Sequence, residues 1–208
     1  MTTTERWGQF ELVLQGPADG NPYKDYEIGA TFTHADSSLK VRGFYDGDGT
    51  YRVRFMPDVE GVWTYETFCN APELSGVRGE FTCTAPQADN HGPVRVRDKR
   101  HFAYEDGTPY RPFGTTCYAW IHMNQALQEQ TLRTLADAPF NKLRMCVFPK
   151  NYSFNSEEPD LFPFLRREDG SFDLEVFDPK FFAKLEQRIL DLQRLGIEAD
   201  LILFHPYD

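Results

Sequence analysis

The residues best placed for chemistry are the polar and aromatic side chains that close apolar runs. Leu201-Ile-Leu-Phe-His205-Pro-Tyr-Asp208 is one such run, ending in His205 and Asp208. Pro112-Phe-Gly-Thr-Thr-Cys117 is followed by Tyr118 and Trp120, and Asn141-Lys-Leu-Arg-Met-Cys-Val-Phe148 by Lys150 and Asn151. In parallel α/β folds, ligand-binding groups gather at the C-terminal ends of strands. Tyr118 and Trp120 could form a stacking wall there, or pack beneath a loop. Lys150 and Asn151 could reach a pocket. Asp208 could bind a substrate or hold a loop by hydrogen bonds. Arg144 lies inside an apolar strand, where it calls for a carboxylate partner. Glu157, Glu158 and Asp160 read as a solvated acidic run, and His122 has no partner identifiable from the sequence.

Composition narrows the classes. The formal charge of -10 argues against nucleic acid and anionic membrane surfaces, which need a basic face. Aromatic residues make up 15 % of the chain, enough either for a large aromatic core or for ring platforms that stack on a sugar or another flat ligand. The N-terminus lacks an apolar signal core, and no run approaches the roughly 18 apolar residues of a membrane span. The expectation is a cytoplasmic protein with reduced thiols at Cys69, Cys83, Cys117 and Cys146. A Cys69–Cys83 disulfide is sterically conceivable between consecutive strands, and two buried thiols are the preferred reading. No C-x-x-C or His/Cys cluster points to a metal, and no cofactor is indicated.

Two architectures follow one another. Residues 7 to about 86 read as short strands punctuated by turns. In Thr50-Tyr-Arg-Val-Arg-Phe-Met56, Tyr51, Val53 and Phe55 share one face, and the preceding Asp46-Gly-Asp-Gly49 is a hairpin signal. This predicts an immunoglobulin-like β-sandwich over residues 1–92. After the polar linker Gln87-Ala-Asp-Asn-His-Gly-Pro93 and the strand pair Val94–Arg97 and Phe102–Tyr104, the period changes. Strands at 112–117, 141–148 and 199–204 alternate with helices at 125–138 and from Pro179. The second helix carries Asp178 as N-cap, Phe182, Leu185, Ile189 and Leu192 at helical spacing, and Gly196 at its end. The order β-α-β-α-β demands a parallel sheet, assigned to residues 93–208. The 149–177 segment is long for a loop and rich in aromatics, including Tyr152, Phe154 and Phe162, so it reads as a folded loop over the strand ends.

Several longer stretches carry a family resemblance. Gly43-Phe-Tyr-Asp-Gly-Asp-Gly-Thr-Tyr51, Arg54-Phe-Met-Pro57 and Gly61-Val-Trp63 resemble the sandwich domain that precedes a glycoside hydrolase family. Asn90-His-Gly-Pro-Val94, Gly114-Thr-Thr-Cys-Tyr-Ala-Trp120, Pro139-Phe-Asn-Lys-Leu-Arg-Met-Cys-Val-Phe-Pro-Lys150 and Leu203-Phe-His-Pro-Tyr-Asp208 resemble the start of that family's (β/α)8 TIM barrel. The resemblance implies a retaining clan with catalytic carboxylates after strands four and seven. It also implies that Arg144 hydrogen-bonds the nucleophile and that His205 donates to sugar hydroxyls. Tyr118, Trp120, Asp208, Lys150 and Asn151 complete the expected substrate contacts.

The clan's acid/base commonly sits in an Asn-Glu pair, and this sequence has none. The expectation is therefore the N-terminal portion of a glycosidase, barrel strands one to three, with its catalytic carboxylates beyond residue 208 and no activity by itself. The alternative is a non-catalytic carbohydrate-binding or structural accessory module. Three barrel strands leave both sheet edges open, which predicts self-association or contact with the missing barrel half.

Overall fold

The computed structural model describes residues 2–150, 153 and 157–204. The chain divides into two compact units, Met1–Arg111 and Pro112–Asp208.

In the first unit the strands are β1 (Thr2–Glu5), β2 (Phe10–Gln15), β3 (Gly29–His34), β4 (Ser37–Arg42), β5 (Phe44–Tyr45), β6 (Thr50–Phe55), β7 (Gly61–Phe68) and β8 (Arg78–Thr84), with one helical turn, α1 (Pro22–Asp25), after β2. They form a five-stranded sheet, β1-β8-β7-β3-β4, and a three-stranded sheet, β2-β6-β5. The alternation in β6 places its rings inside: Tyr51 and Val53 are fully buried and Phe55 nearly so. Rings from the two sheets meet face to face. Phe10 stacks on Phe81 at 4.0 Å between centroids, and Phe32 on Phe55 at 4.1 Å. The outward side chains of β6 turn to charge pairing, with Glu11 bridging Arg52 and Arg54 and Asp46 closing on Arg52. The hairpin signal is realised as Gly47, Asp48 and Gly49 all at positive φ, a region glycine enters without steric cost. This unit is a β-sandwich-like domain. β1 went unread in the sequence because Thr2-Thr-Thr-Glu5 has no apolar alternation; it joins the sheet by pairing in parallel with β8.

The hairpin β9 (Val94–Arg97) and β10 (His101–Tyr104) belongs to the first unit, where the sequence reading set it at the head of the second. Its linker is pinned locally. Asn90 Nδ2 donates to the Arg6 carbonyl at 3.3 Å, and His91 Nδ1 lies 2.8 Å from Asp106 Oδ2. The Thr108 N–H and then His91 hold the Asp106 carboxyl below its usual range. The four cysteines are free thiols.

The second unit is built on β11 (Gly114–Thr116), β12 (Lys142–Cys146) and β15 (Glu198–Ile202), a parallel sheet in the order β11-β12-β15. Helices α2 (Gln125–Ala136) and α3 (Pro179–Arg194) alternate with these strands. Asn124 caps α2 by accepting from the Leu127 N–H, and Asp178 caps α3 by accepting from the Lys180 N–H. Gly196, at φ +71°, ends α3. The core sets Leu143 and Met145 of the sheet against Leu135, Phe181, Leu185 and Leu192 of the helices. The aromatic segment before α3 holds a hairpin, β13 (Phe164–Arg166) and β14 (Phe172–Phe177), turning through Asp169 and Gly170. Its rings pack on Phe148 and Phe182. Tyr152 and Phe154 lie outside the described residues.

Candidate functional site

The parallel sheet has two unlike faces, because alternation sends neighbours to opposite sides. On β12, Leu143 and Met145 face the helices, which leaves Lys142 and Arg144 for the other face. Parallel register sets Lys142 beside Glu198 and Arg144 beside Asp200 on β15, with Thr116 on the far side of Arg144. Arg144 Nε and Nη2 both reach Asp200 Oδ2, at 3.0 and 2.9 Å. Lys142 Nζ stands 3.6 Å from Glu198. A guanidinium carries five N–H donors. Two are spent on Asp200, and the rest have no partner among the described residues, so Arg144 is oriented yet able to accept a second carboxylate. Its side chain is 53 % exposed, open to a ligand.

The other expected contacts fall into three groups. Tyr118 follows β11, is half-buried, and its carbonyl accepts from the Cys146 N–H at 2.9 Å. Lys150 is half-buried just past β12. Trp120 is 4 % exposed, and its indole N–H donates to Met145 Sδ at 3.1 Å. This ring is a core element, not an exposed wall: its apolar body fills the space above β12, and the sulfur satisfies its one donor. Asn151, His205 and Asp208 lie outside the described residues. Of the loop acids, Glu157 accepts from Asn124 Nδ2 at 3.3 Å and Glu158 is exposed.

Two features went unread. Asp200, the partner of Arg144, sits one strand and 56 positions away, and only the parallel register could have revealed it. His122 does have a partner: Nε2 donates to the Cys146 carbonyl at 3.2 Å, with the ring stacked on Phe181. Burial pushes its pKa down to about 4, partly offset by that hydrogen bond, so the imidazole is neutral near pH 7.

Residues 3–70 match the family model described as a domain of unknown function, DUF5060. Over its whole length the chain is similar to "a putative glycoside hydrolase" from Bacteroides vulgatus, with 48 % identity and a TM-score of 0.93, and it spans 42 % of that protein. It also aligns with the Lin-41 filamin domain (18 % identity, TM-score 0.33, 41 % of this chain and 85 % of that one). A family 39 glycoside hydrolase from Bacteroides cellulosilyticus aligns at 12 % identity and a TM-score of 0.27, over 98 % of this chain and 32 % of that one. At those two scores neither likeness bears on the fold or the activity. No curated protein matches. Among the described residues, no helix is long and apolar enough to cross a membrane.

Proposed function

We propose that this chain is part of a retaining glycoside hydrolase. In this reading a β-sandwich precedes the first three strands of a (β/α)8 barrel, and the catalytic carboxylates belong to the remainder of a longer protein. The observation that carries it is the full-length similarity to the Bacteroides vulgatus protein, which is more than twice as long as the span aligned. The parallel β11-β12-β15 sheet with alternating helices supports the barrel assignment.

Arg144 has a defined part in that reading. Asp200 orients its guanidinium through Nε and Nη2, and its remaining donors serve the nucleophile. A positive group there favours the ionised carboxylate that must attack the anomeric carbon. Tyr118 and Lys150 contact the sugar, together with Asn151, His205 and Asp208. Trp120 acts from beneath, by holding the backbone that presents Tyr118.

The test is to express the longer protein and assay it on a panel of oligosaccharides. Hydrolysis with retention of anomeric configuration, seen by NMR, is expected. Arg144→Gln should lower kcat by about 100-fold, the scale for losing one charge-stabilising contact in a site. Inverted products would overturn the retaining assignment. An unchanged kcat in Arg144→Gln would remove that residue from the site. Turnover of a glycoside by residues 1–208 alone would overturn the placement of the carboxylates.

A further inference from the structure

The outer face of the five-stranded sheet is grooved. Two adjoining hollows share Phe68. One, of about 770 Å³, is lined by Thr31, Thr33, Thr64, Glu66, Arg78 and Glu80. The other, of about 460 Å³, is lined by Tyr23, Tyr26, Glu27, Lys40 and Arg42. Both volumes lie in the range of small-molecule sites, roughly 300–1,000 Å³.

Register explains this assembly. Lys40, Thr31, Glu66 and Arg78 stand in one row across β4, β3, β7 and β8, and Ser38, Thr33, Thr64 and Glu80 in the next. Glu66 and Arg78 pair at 3.0 Å. Phe68 lies opposite Gly29, and its ring covers that glycine so closely that any Cβ there would collide with it. The absent side chain at Gly29 is what lets the ring lie down on the sheet. The Lys40 ammonium rests 4.0 Å above the ring centroid.

The outer face of the β2-β6-β5 sheet offers a contrast. There Glu11 and Asp46 engage Arg52 and Arg54. On the grooved face, Lys40 and Arg42 have no carboxylate partner among the described residues. Hydroxyls that both donate and accept, a carboxylate–guanidinium pair and a flat ring are the groups that recognise a sugar: hydroxyls pair with the polar groups, and the apolar face of the sugar covers the ring.

We propose that this groove is a binding site for a chain of neutral sugars, seated on Phe68 when Lys40 swings aside and hydrogen-bonded by Glu66, Arg78 and the threonine hydroxyls. Neutral sugars are specified because Lys40, Arg42 and Arg78 are matched in number by Glu27, Glu66 and Glu80, and because a net charge of -10 repels a polyanion. The choice of a sugar over another hydroxylated ligand rests on the glycoside hydrolase reading. The site itself holds no part of the bond-breaking chemistry.

Calorimetry on residues 1–208 tests it with neutral xylo-, cello- and manno-hexaoses and with hexagalacturonate. Saturable binding of at least one neutral hexaose is expected, with hexagalacturonate bound at least about tenfold more weakly. Phe68→Ala and Glu66→Gln should each weaken binding by about tenfold or more, while Val13→Thr on the outer face of β2 should leave it unchanged. Glu66 is half-exposed, so its variant separates loss of binding from misfolding. No binding of any neutral hexaose, equal binding of hexagalacturonate, or unchanged affinity in both groove variants would overturn the proposal. The outcomes are separable from those of the enzymatic reading. A longer protein that hydrolyses nothing yet binds through Phe68 sinks the enzyme and keeps the groove, and hydrolysis without groove binding does the reverse.

Discussion

Arg144 and Asp200 face each other on neighbouring parallel strands, with Nη2 2.9 Å from Oδ2 and Nε 3.0 Å from the same oxygen. Two donors on one oxygen fix the plane of the guanidinium. The pair stands on the sheet face turned away from α2 and α3, where the arginine remains 53 % exposed.

That exposure sets how much the pair contributes. Water screens the attraction, so a double-mutant cycle of Arg144→Gln and Asp200→Asn in urea should give a coupling of about 1 kcal/mol or less. A coupling above about 3 kcal/mol would show that solvent does not reach the pair. The small cost in stability is what allows kcat in the longer protein to report on chemistry and not on folding.

Arg188 is the opposite case. It is 7 % exposed, sits on the core side of α3, and pairs with Glu129 of α2 at 2.8 Å and with Asp191 at 3.0 Å. Arg188→Ala should destabilise the second unit by about 2–4 kcal/mol, because it takes the cation from Glu129 and opens a cavity, while Asp191 keeps Arg194 at 2.7 Å. Arg188→Met, which restores the apolar stem, should recover part of that loss. Denaturant midpoints would check this, and equal losses in the two variants would refute the packing contribution.

His122 predicts an acid-side dependence. Its folded pKa of about 4 lies below the ordinary 6.5, so between those values the unfolded chain binds a proton that the folded one does not. Stability from this group is fully present above pH 6.5, falls as pH drops toward 4, and levels off below. The full shift corresponds to about 3 kcal/mol. His122→Gln should lack this slope, so the difference between the two stability–pH curves isolates it from the carboxylates. A difference curve that is flat from pH 7 to 4 would refute it.

Tyr51 acts on the alkaline side of the sandwich. Its hydroxyl donates to the Pro17 carbonyl at 2.7 Å, and burial, with neighbouring tyrosines, pushes its pKa up to about 12. The unfolded chain ionises first, near 10, so stability is complete below pH 10 and declines as pH rises toward 12. Tyr51→Phe should cost about 1 kcal/mol at neutral pH and lose that alkaline decline. Melting curves at pH 7 and 11 measure both effects. A variant as stable as the parent at pH 7 would mean that the hydrogen bond contributes nothing.

What could be read locally was read well. The period-2 pattern of Tyr51, Val53 and Phe55 is one face of a strand whatever the strand meets. Asp178, Pro179 and Gly196 delimit α3 because cap and terminator act on their own backbone within a few residues. Tertiary structure decided what depends on register and burial. Asp200 became the partner of Arg144 because β15 pairs with β12 in parallel, and nothing near either residue encodes that offset. Trp120 became core because it joins the hydrophobic cluster of the second unit, with its indole N–H on Met145 of β12. The groove around Phe68 exists because β3 pairs with β7, which joins the consecutive pairs β3–β4 and β7–β8 and sets their threonines and charges side by side. Alternation specifies which side chains share a face of one strand. Only strand pairing specifies which faces of different strands become one surface.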